Sequence, residues 1–302
     1  MYKNKKMVEG KFYCLVCKGT KNELIVNKVR DSKNHDIVKC SKCNHIQLFP
    51  LLTKIKLKRY NDKNLQDLNI GYSGKLEDYR KKSEIDTQRR YNFIKKRILK
   101  KQKILEIGSG HGFFIDIMHK NGYNIVGTEI SKNKNKLLKN STSAKILHLD
   151  LTKENTSIRN NQAIILFHVL EHIENPIEFL KNLRNLLSNT GEIIIEVPNE
   201  WDLQLKVNNE YSDWFWQLGH IHYFSPKLLK FVLKKAGFKN IKILGVQRYS
   251  IKNMFNWMIQ EKAELKNPTY VINNEYSWLE EYYKNYLEKK LICDTIIAIA
   301  TK

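Results

Sequence analysis

Short, unbroken apolar runs punctuate a chain that is otherwise strongly polar. They fall at 104–107, 124–130, 145–150, 163–167, 191–197, 241–246 and 292–300, and most are rich in Ile, Leu and Val. Runs of this length and composition read as strands buried on both faces. Between them apolar positions recur at helical spacing. The stretch 176–188 opens on Pro176, and another helix follows Ser225-Pro226 and ends at Lys235-Ala236-Gly237-Phe238. Before the first run, Tyr91, Ile94, Ile98 and Leu99 mark the apolar side of an amphipathic helix. Arg89, Arg90, Lys95, Lys96, Arg97, Lys100, Lys101 and Lys103 are then expected on its solvated face. Strands alternating with helices predict an α/β fold whose parallel sheet is joined by right-handed crossovers. The pattern also predicts a helical, aromatic-bearing insert over 250–290 and a polar segment over 51–88, part linker and part lid helix.

The chemistry gathers where the strands end. The first run passes into Gly108-Ser109-Gly110-His111-Gly112 and then an apolar helix start at Phe113, Phe114 and Ile117. Glycines at alternate positions let the backbone turn sharply and approach a ligand where a Cβ would collide. The helix start behind them presents unpaired N–H groups. The spacing is not that of a dinucleotide loop, and Glu106 precedes the first glycine. A carboxylate there repels a pyrophosphate but can accept hydrogen bonds from a cationic amino-acid ligand. Glu129 ends the second run about twenty residues on, where a carboxylate can accept both hydroxyls of a ribose. Asp150 ends the third run and His168 follows the fourth. All four fall at the same sheet edge, the one at which α/β folds bind ligands.

The stretch Ile104-Leu-Glu-Ile-Gly-Ser-Gly-His-Gly112 resembles motif I of class I S-adenosylmethionine (SAM) methyltransferases, and the resemblance runs in order over roughly 70–260. It implies a Rossmann-like sheet, mostly parallel with an antiparallel last strand, in a domain spanning 89–302. It implies SAM held by Glu106, Gly108, Ser109, Gly110, Gly112, Glu129, Ile130, Asp150, Leu151 and His168. Among these Glu129 takes the ribose, Asp150 the adenine amino group, and His168 stands beside the sulfonium. Tyr72 and Tyr79 precede the fold where related enzymes place a lid, and Tyr79 is expected at the SAM carboxylate. Gly219-His-Ile-His-Tyr-Phe-Ser-Pro226 resembles the branch of the family rich in sugar, polysaccharide and small-molecule enzymes. In the sugar C-methyltransferases a histidine followed by Tyr-Phe is the catalytic base. His222 holds that position, with Ile221 where those enzymes usually carry a glutamate.

His168-x-x-Glu171-His172 resembles the Glu-x-x-Glu-His of some metal-dependent O-methyltransferases, with a histidine in place of the first carboxylate. Three readings stay open for this segment: a wall of the SAM pocket, a general base at His168, or a second metal site. Trp201, Trp214, Phe215 and Trp216 offer aromatic faces that suit a core, a lid, or stacking on a sugar or base.

Cys14-x-x-Cys17 and Cys40-x-x-Cys43 form two thiol pairs 22 residues apart. Four sulfurs on two such knuckles suit a closed, tetrahedral and structural Zn²⁺ site, and a segment of about 50 residues has too little core to fold unaided. A zinc ribbon over 1–50 is therefore expected. His45 is a substitute ligand behind the sulfurs, and Cys293 reads as core. Several nucleotide-sugar C-methyltransferases combine a four-cysteine module with this kind of SAM domain, and some ribosomal RNA guanine methyltransferases also begin with a zinc module.

The chain has 302 residues with 53 Lys and Arg against 31 Asp and Glu, a formal net charge of +22. Such a surface attracts nucleic acid, an anionic glycan or a nucleotide-linked sugar. Lys outnumbers Arg 44 to 9, whereas phosphate and base readers favour the arginine fork. Nucleic acid therefore ranks behind a small-molecule or glycan acceptor, and the excess of Lys, Asn and Ile also fits compositional bias. With no leader-like segment and no membrane-length apolar run, a cytoplasmic enzyme is expected. The function expected is methyl transfer from SAM to a sugar or glycan. The alternatives are an RNA methyltransferase gripping RNA with its zinc module, and a SAM-binding protein without turnover. Pattern and composition leave the oligomeric state open.

Overall fold

The computed structural model describes residues 11–52, 75–131, 134, 138, 141–152, 156, 158–261 and 276–302. Tyr72 lies outside them, as does part of the expected linker and insert.

Seven strands form the main sheet: β4 (Ile104–Ile107), β5 (Ile125–Thr128), β6 (Ile146–Leu147), β7 (Asn161–Phe167), β8 (Leu187–Pro198), β10 (Lys239–Val246) and β11 (Thr295–Thr301). Their order across the sheet is β10-β11-β8-β7-β4-β5-β6. Strands β6, β5, β4, β7 and β8 are mutually parallel, and β11 runs antiparallel to both β8 and β10. The fold is thus a mixed α/β, Rossmann-like sheet, mostly parallel with an antiparallel last strand. From β4 the chain builds outward through β5 and β6, and then returns to β7 on the other side. That reversal opens a crevice beyond the ends of β4 and β7.

The apolar runs are continuous because both sheet faces are covered. Leu105, Ile107, Ile164, Leu166, Ile193 and Ile195 pack on one face with the helices α3 (Pro176–Leu186) and α6 (Pro226–Lys235). Ile104, Ile165, Phe167 and Ile194 pack on the other with α1 (Leu76–Lys95) and α2 (Phe113–Lys120). Pro at the first turn starts α3 and α6, and Ser225 also caps α6 by accepting from the Leu228 amide at 3.2 Å. The aromatic insert holds α7 (Ile251–Gln260) and α8 (Ser277–Lys290). Among the described residues no helix is long and apolar enough to cross a membrane.

A second, antiparallel sheet carries the cysteine pairs: β1 (Asn22–Val26), β2 (Asp36–Cys40) and β3 (Ile46–Phe49). Its fourth strand comes from far along the chain. β9 (His222–Tyr223) pairs with β3 through Ile46 to Tyr223 and Gln47 to His222. Val29, Ile37, Ile46 and Leu48 share one apolar cluster with Tyr211, Phe215, Trp216, Tyr223 and Trp257.

Helix α1 departs from the solvated face expected of it. Ile94 and Ile98 are buried, but Leu99 is 63% exposed. Arg89 and Arg90 turn inward onto Glu196, which is fully buried in β8. Arg89 donates to both its carboxylate oxygens at 2.9 and 3.0 Å, and Arg90 donates twice to Oε1 at 2.9 and 2.6 Å. Asp86 extends the cluster to Arg89 at 3.0 Å and to Arg248 at 3.3 Å, and Arg248 reaches Asp294 at 2.9 Å. A charged residue inside the apolar run 191–197 demands such partners, because an unpaired buried charge is costly.

Candidate active site at the ends of β4 and β7

The glycine loop leaves β4 with three left-handed residues, Gly108 at φ +71°, Gly110 at +57° and Gly112 at +78°. At Gly108 a Cβ would lie 2.6 Å from Val169 Cγ2, so neither the dihedral nor the space admits a side chain. The Ser109 amide donates to the Thr128 carbonyl at 2.9 Å, and Gly112 closes the turn by donating to the Ser109 carbonyl at 2.8 Å. Glu129 braces the loop from the next strand. Its Oε2 accepts from the Gly110 amide at 2.9 Å and its Oε1 from the Ser131 amide at 2.7 Å.

Glu106 is 4% exposed, and its Oε2 has no hydrogen-bond partner. Burial pushes its pKa up to about 7, against the pull of Ser109 and Arg90, and Glu129 adds repulsion. A buried carboxylate oxygen lacking a partner beside a glycine turn fits the ammonium group of an amino-acid-bearing nucleoside. The remaining cofactor positions follow the same edge. Asp150 stands three residues past β6, which is shorter than the run 145–150 implies; its Oδ1 accepts from the Thr152 amide at 3.1 Å. Leu151 is buried, and Ile130 is 53% exposed. Tyr79 from α1 stacks on His111 of the glycine loop, with ring centroids 4.1 Å apart. His111 was not foreseen; its place between two glycines was the available signal.

His168 ends β7 in a left-handed conformation, φ +55°. Its Nδ1 lies 3.2 Å from Glu171 Oε1, and its Nε2 lies 3.3 Å from Glu196 Oε1. Burial opposes its charge, but hydrogen bonds and attraction from the two carboxylates outweigh that and raise its pKa above the usual value. Held between two carboxylates, the ring favours its charged form, which weighs against the expected general base at His168.

The reading of His222 is corrected. It is 1% exposed. Its Nδ1 meets His45 Nε2 at 2.8 Å, its Nε2 donates to the Ile173 carbonyl at 2.8 Å, and the two rings stack at 4.9 Å. Burial, and after it the neighbouring His45, lowers its pKa to about 3. With both nitrogens occupied inside the protein, His222 cannot take a proton from an acceptor. Trp216 is likewise core, packed on Tyr223 at 4.7 Å. Trp214 faces a different place, a groove of about 670 Å³ that it lines with residues 28–33 and Asp213.

The four cysteines come together as their spacing predicts. Cys14 Sγ lies 3.6 Å from Cys43 Sγ, and Cys17 Sγ lies 3.5 Å from Cys40 Sγ. None is in a disulfide. A tetrahedral ion with metal–sulfur bonds near 2.3 Å spaces its sulfurs by about 3.8 Å, so the cluster fits such an ion. The Cys43 contact pulls the Cys14 thiol below its ordinary range. His45 Nδ1 stands 3.4 Å from Cys14 Sγ, behind the sulfurs and not among them.

Comparison with known proteins agrees with this geometry. Residues 78–243 match the family described as the methyltransferase domain. The tRNA U34 carboxymethyltransferase of Proteus mirabilis (strain HI4320) is 25% identical over 179 residues. That alignment covers 55% of this chain, and the chain spans only about half, 54%, of that relative's length. A SAM-dependent methyltransferase from Archaeoglobus fulgidus superimposes with a TM-score of 0.52 at 20% identity, covering 80% of this chain and 99% of the other. The magnesium protoporphyrin IX methyltransferase of Synechocystis PCC 6803, solved with bound SAH, gives a TM-score of 0.50 at 13% identity, covering 83% and 100%.

Proposed function

The chain belongs to the methyltransferase-domain family and is a SAM-dependent methyltransferase, and from that premise we propose that it methylates a hydroxyl of a sugar, nucleotide-linked or within a glycan. SAM supplies an electrophilic methyl group on its sulfonium. Glu106 holds the ammonium of the amino-acid end, Glu129 the ribose, Gly108 to Gly112 leave room for the nucleoside, and Asp150 with Leu151 borders the adenine. The observation that carries SAM binding is the buried Glu106 Oε2, which has no hydrogen-bond partner, beside a loop of three left-handed glycines.

The acceptor lies on the His168 side of the crevice. What supports a sugar is the joining of the cysteine module to the loop before α6 through β3 and β9, the combination that resembles nucleotide-sugar enzymes. With His222 enclosed, the C-methylation mechanism loses its base, so a hydroxyl is the better acceptor. The four cysteines would hold a structural Zn²⁺ that braces this junction. RNA is the second reading, favoured by the net charge of +22 and by the carboxymethyltransferase relative, which acts on tRNA.

Incubation of the full chain with methyl-labelled SAM and either nucleotide-sugars or total RNA separates the two. Label in the sugar fraction, little affected by salt, supports the proposal. Label in RNA, with binding that falls steeply as salt rises, favours the second reading.

A further inference from the structure

The strongest unassigned cluster stands beside His168 and includes neither a residue of the glycine loop nor a cysteine. A 3₁₀ turn (Leu170–His172) follows β7, and the loop leading into β9 crosses over it; the Ile221 amide donates to the Glu171 carbonyl at 2.9 Å. At this crossing the ligating atoms of Glu171, His172 and His220 lie within 4.8 Å of one another. We propose that these three residues form a second metal site that takes a first-row transition dication of the Zn²⁺ or Co²⁺ kind.

Glu171 is 1% exposed, and its Oε2 is buried with no hydrogen-bond partner, while Oε1 holds His168. An anionic oxygen sealed from water with no donor calls for a cation. His172 Nδ1 lies 2.6 Å from the Gly219 carbonyl, which can only accept. The proton therefore sits on Nδ1 and the lone pair on Nε2. Metal-binding histidines share this arrangement, with the far nitrogen donating to a carbonyl or carboxylate.

At His220, Gln217 Nε2 lies 3.3 and 3.0 Å from the two ring nitrogens. No atom in the ring plane can reach both nitrogens without striking the carbon between them. The amide therefore sits over the ring face, and the in-plane lone pair of the neutral imidazole stays available.

Two imidazoles and one carboxylate suit Zn²⁺, Co²⁺ or a neighbouring ion better than Mg²⁺, which prefers an all-oxygen shell. Unlike the four sulfurs, a three-residue set leaves coordination positions open. His168 is not a member, because its Nδ1 already engages Glu171. The site therefore differs from the run 168–172 read from sequence and depends on a residue 48 positions beyond His172.

The full-length protein titrated with Co²⁺ provides the test. Binding of two equivalents is expected. One should show intense thiolate-to-cobalt charge transfer, and the other only the weak visible bands of nitrogen and oxygen ligation. His220→Ala and His172→Gln should each weaken the second equivalent at least roughly tenfold. They should leave the thiolate bands, the SAM binding heat and the thermal midpoint in place. His172 is only half-buried, so its variant tests the site should His220→Ala fold poorly. A single equivalent in the wild type, or a second one unaffected by both variants, overturns the proposal. The SAM heat reports separately on the cofactor reading.

Discussion

The cofactor half and the acceptor half of this molecule are built on opposite plans. In the cofactor half one strand, one glycine turn and one helix start place the site, and Glu129 braces Gly110 from 19 residues away. In the acceptor half nothing local suffices. His45 meets His222 across 177 residues, Arg30 donates to Gln217 across 187, and Arg89 and Arg90 reach Glu196 across more than 100. A ligand common to a large family can be held by a short contiguous motif. The amino-terminal sheet and the buried charge cluster are instead assembled from segments that meet only once the chain has folded.

The contrast breaks hardest at Glu196, the buried hinge between the halves. Glu196→Ala takes from Arg90 the carboxylate it donates to, and leaves Arg89 only Asp86 and His168 only Glu171. The expected loss is about 3–5 kcal/mol of stability, read from urea unfolding. A change below about 1 kcal/mol would mean that the cluster is solvated and does not tie α1 to the sheet.

The next effect belongs to the cofactor half. Glu106 has a folded pKa of about 7 against an ordinary 4.5. The folded protein therefore holds more protons than the unfolded chain between these values, and its stability falls as pH rises from 4.5 to 7. The shift corresponds to about 3 kcal/mol. Glu106→Gln should flatten that slope, and saturating SAM should flatten it in the wild type by supplying the missing cation. A slope unchanged in both cases would remove Glu106 from the site.

The smallest effect sharpens the acceptor half. His222→Ala breaks the bridge between His45 and the Ile173 carbonyl and should cost about 1–3 kcal/mol of stability. Turnover measured below the melting range should fall by less than about tenfold. A fall of 10²–10⁴, the range for a lost general base, would restore to His222 the role that its enclosure denies.

The sheet and its cofactor edge were legible because each depends on a local signal. Apolar runs mark strands covered on both faces, and Glu106, Gly108 and Glu129 stand where those strands end. The cysteine cluster was legible for the same reason, since two knuckles of fixed spacing announce four converging sulfurs. Arg89 and Arg90 misled because basic residues on a helix ordinarily face water. Only Glu196, a lone charge within Ile-Ile-Ile-Glu-Val, signalled that they turn inward. His222 misled because its neighbours Tyr223 and Phe224 match a family pattern, while its burial is decided by β3, a strand from the other end of the chain.

Calorimetric titration of the purified full chain with SAM tests the central claim most directly. Saturable binding of one SAM per chain is expected, with the heat lost in Gly108→Val, whose side chain would meet Val169 and displace the loop. A folded wild-type protein that gives no heat with SAM, or a Gly108→Val variant that binds it unchanged, would contradict the account.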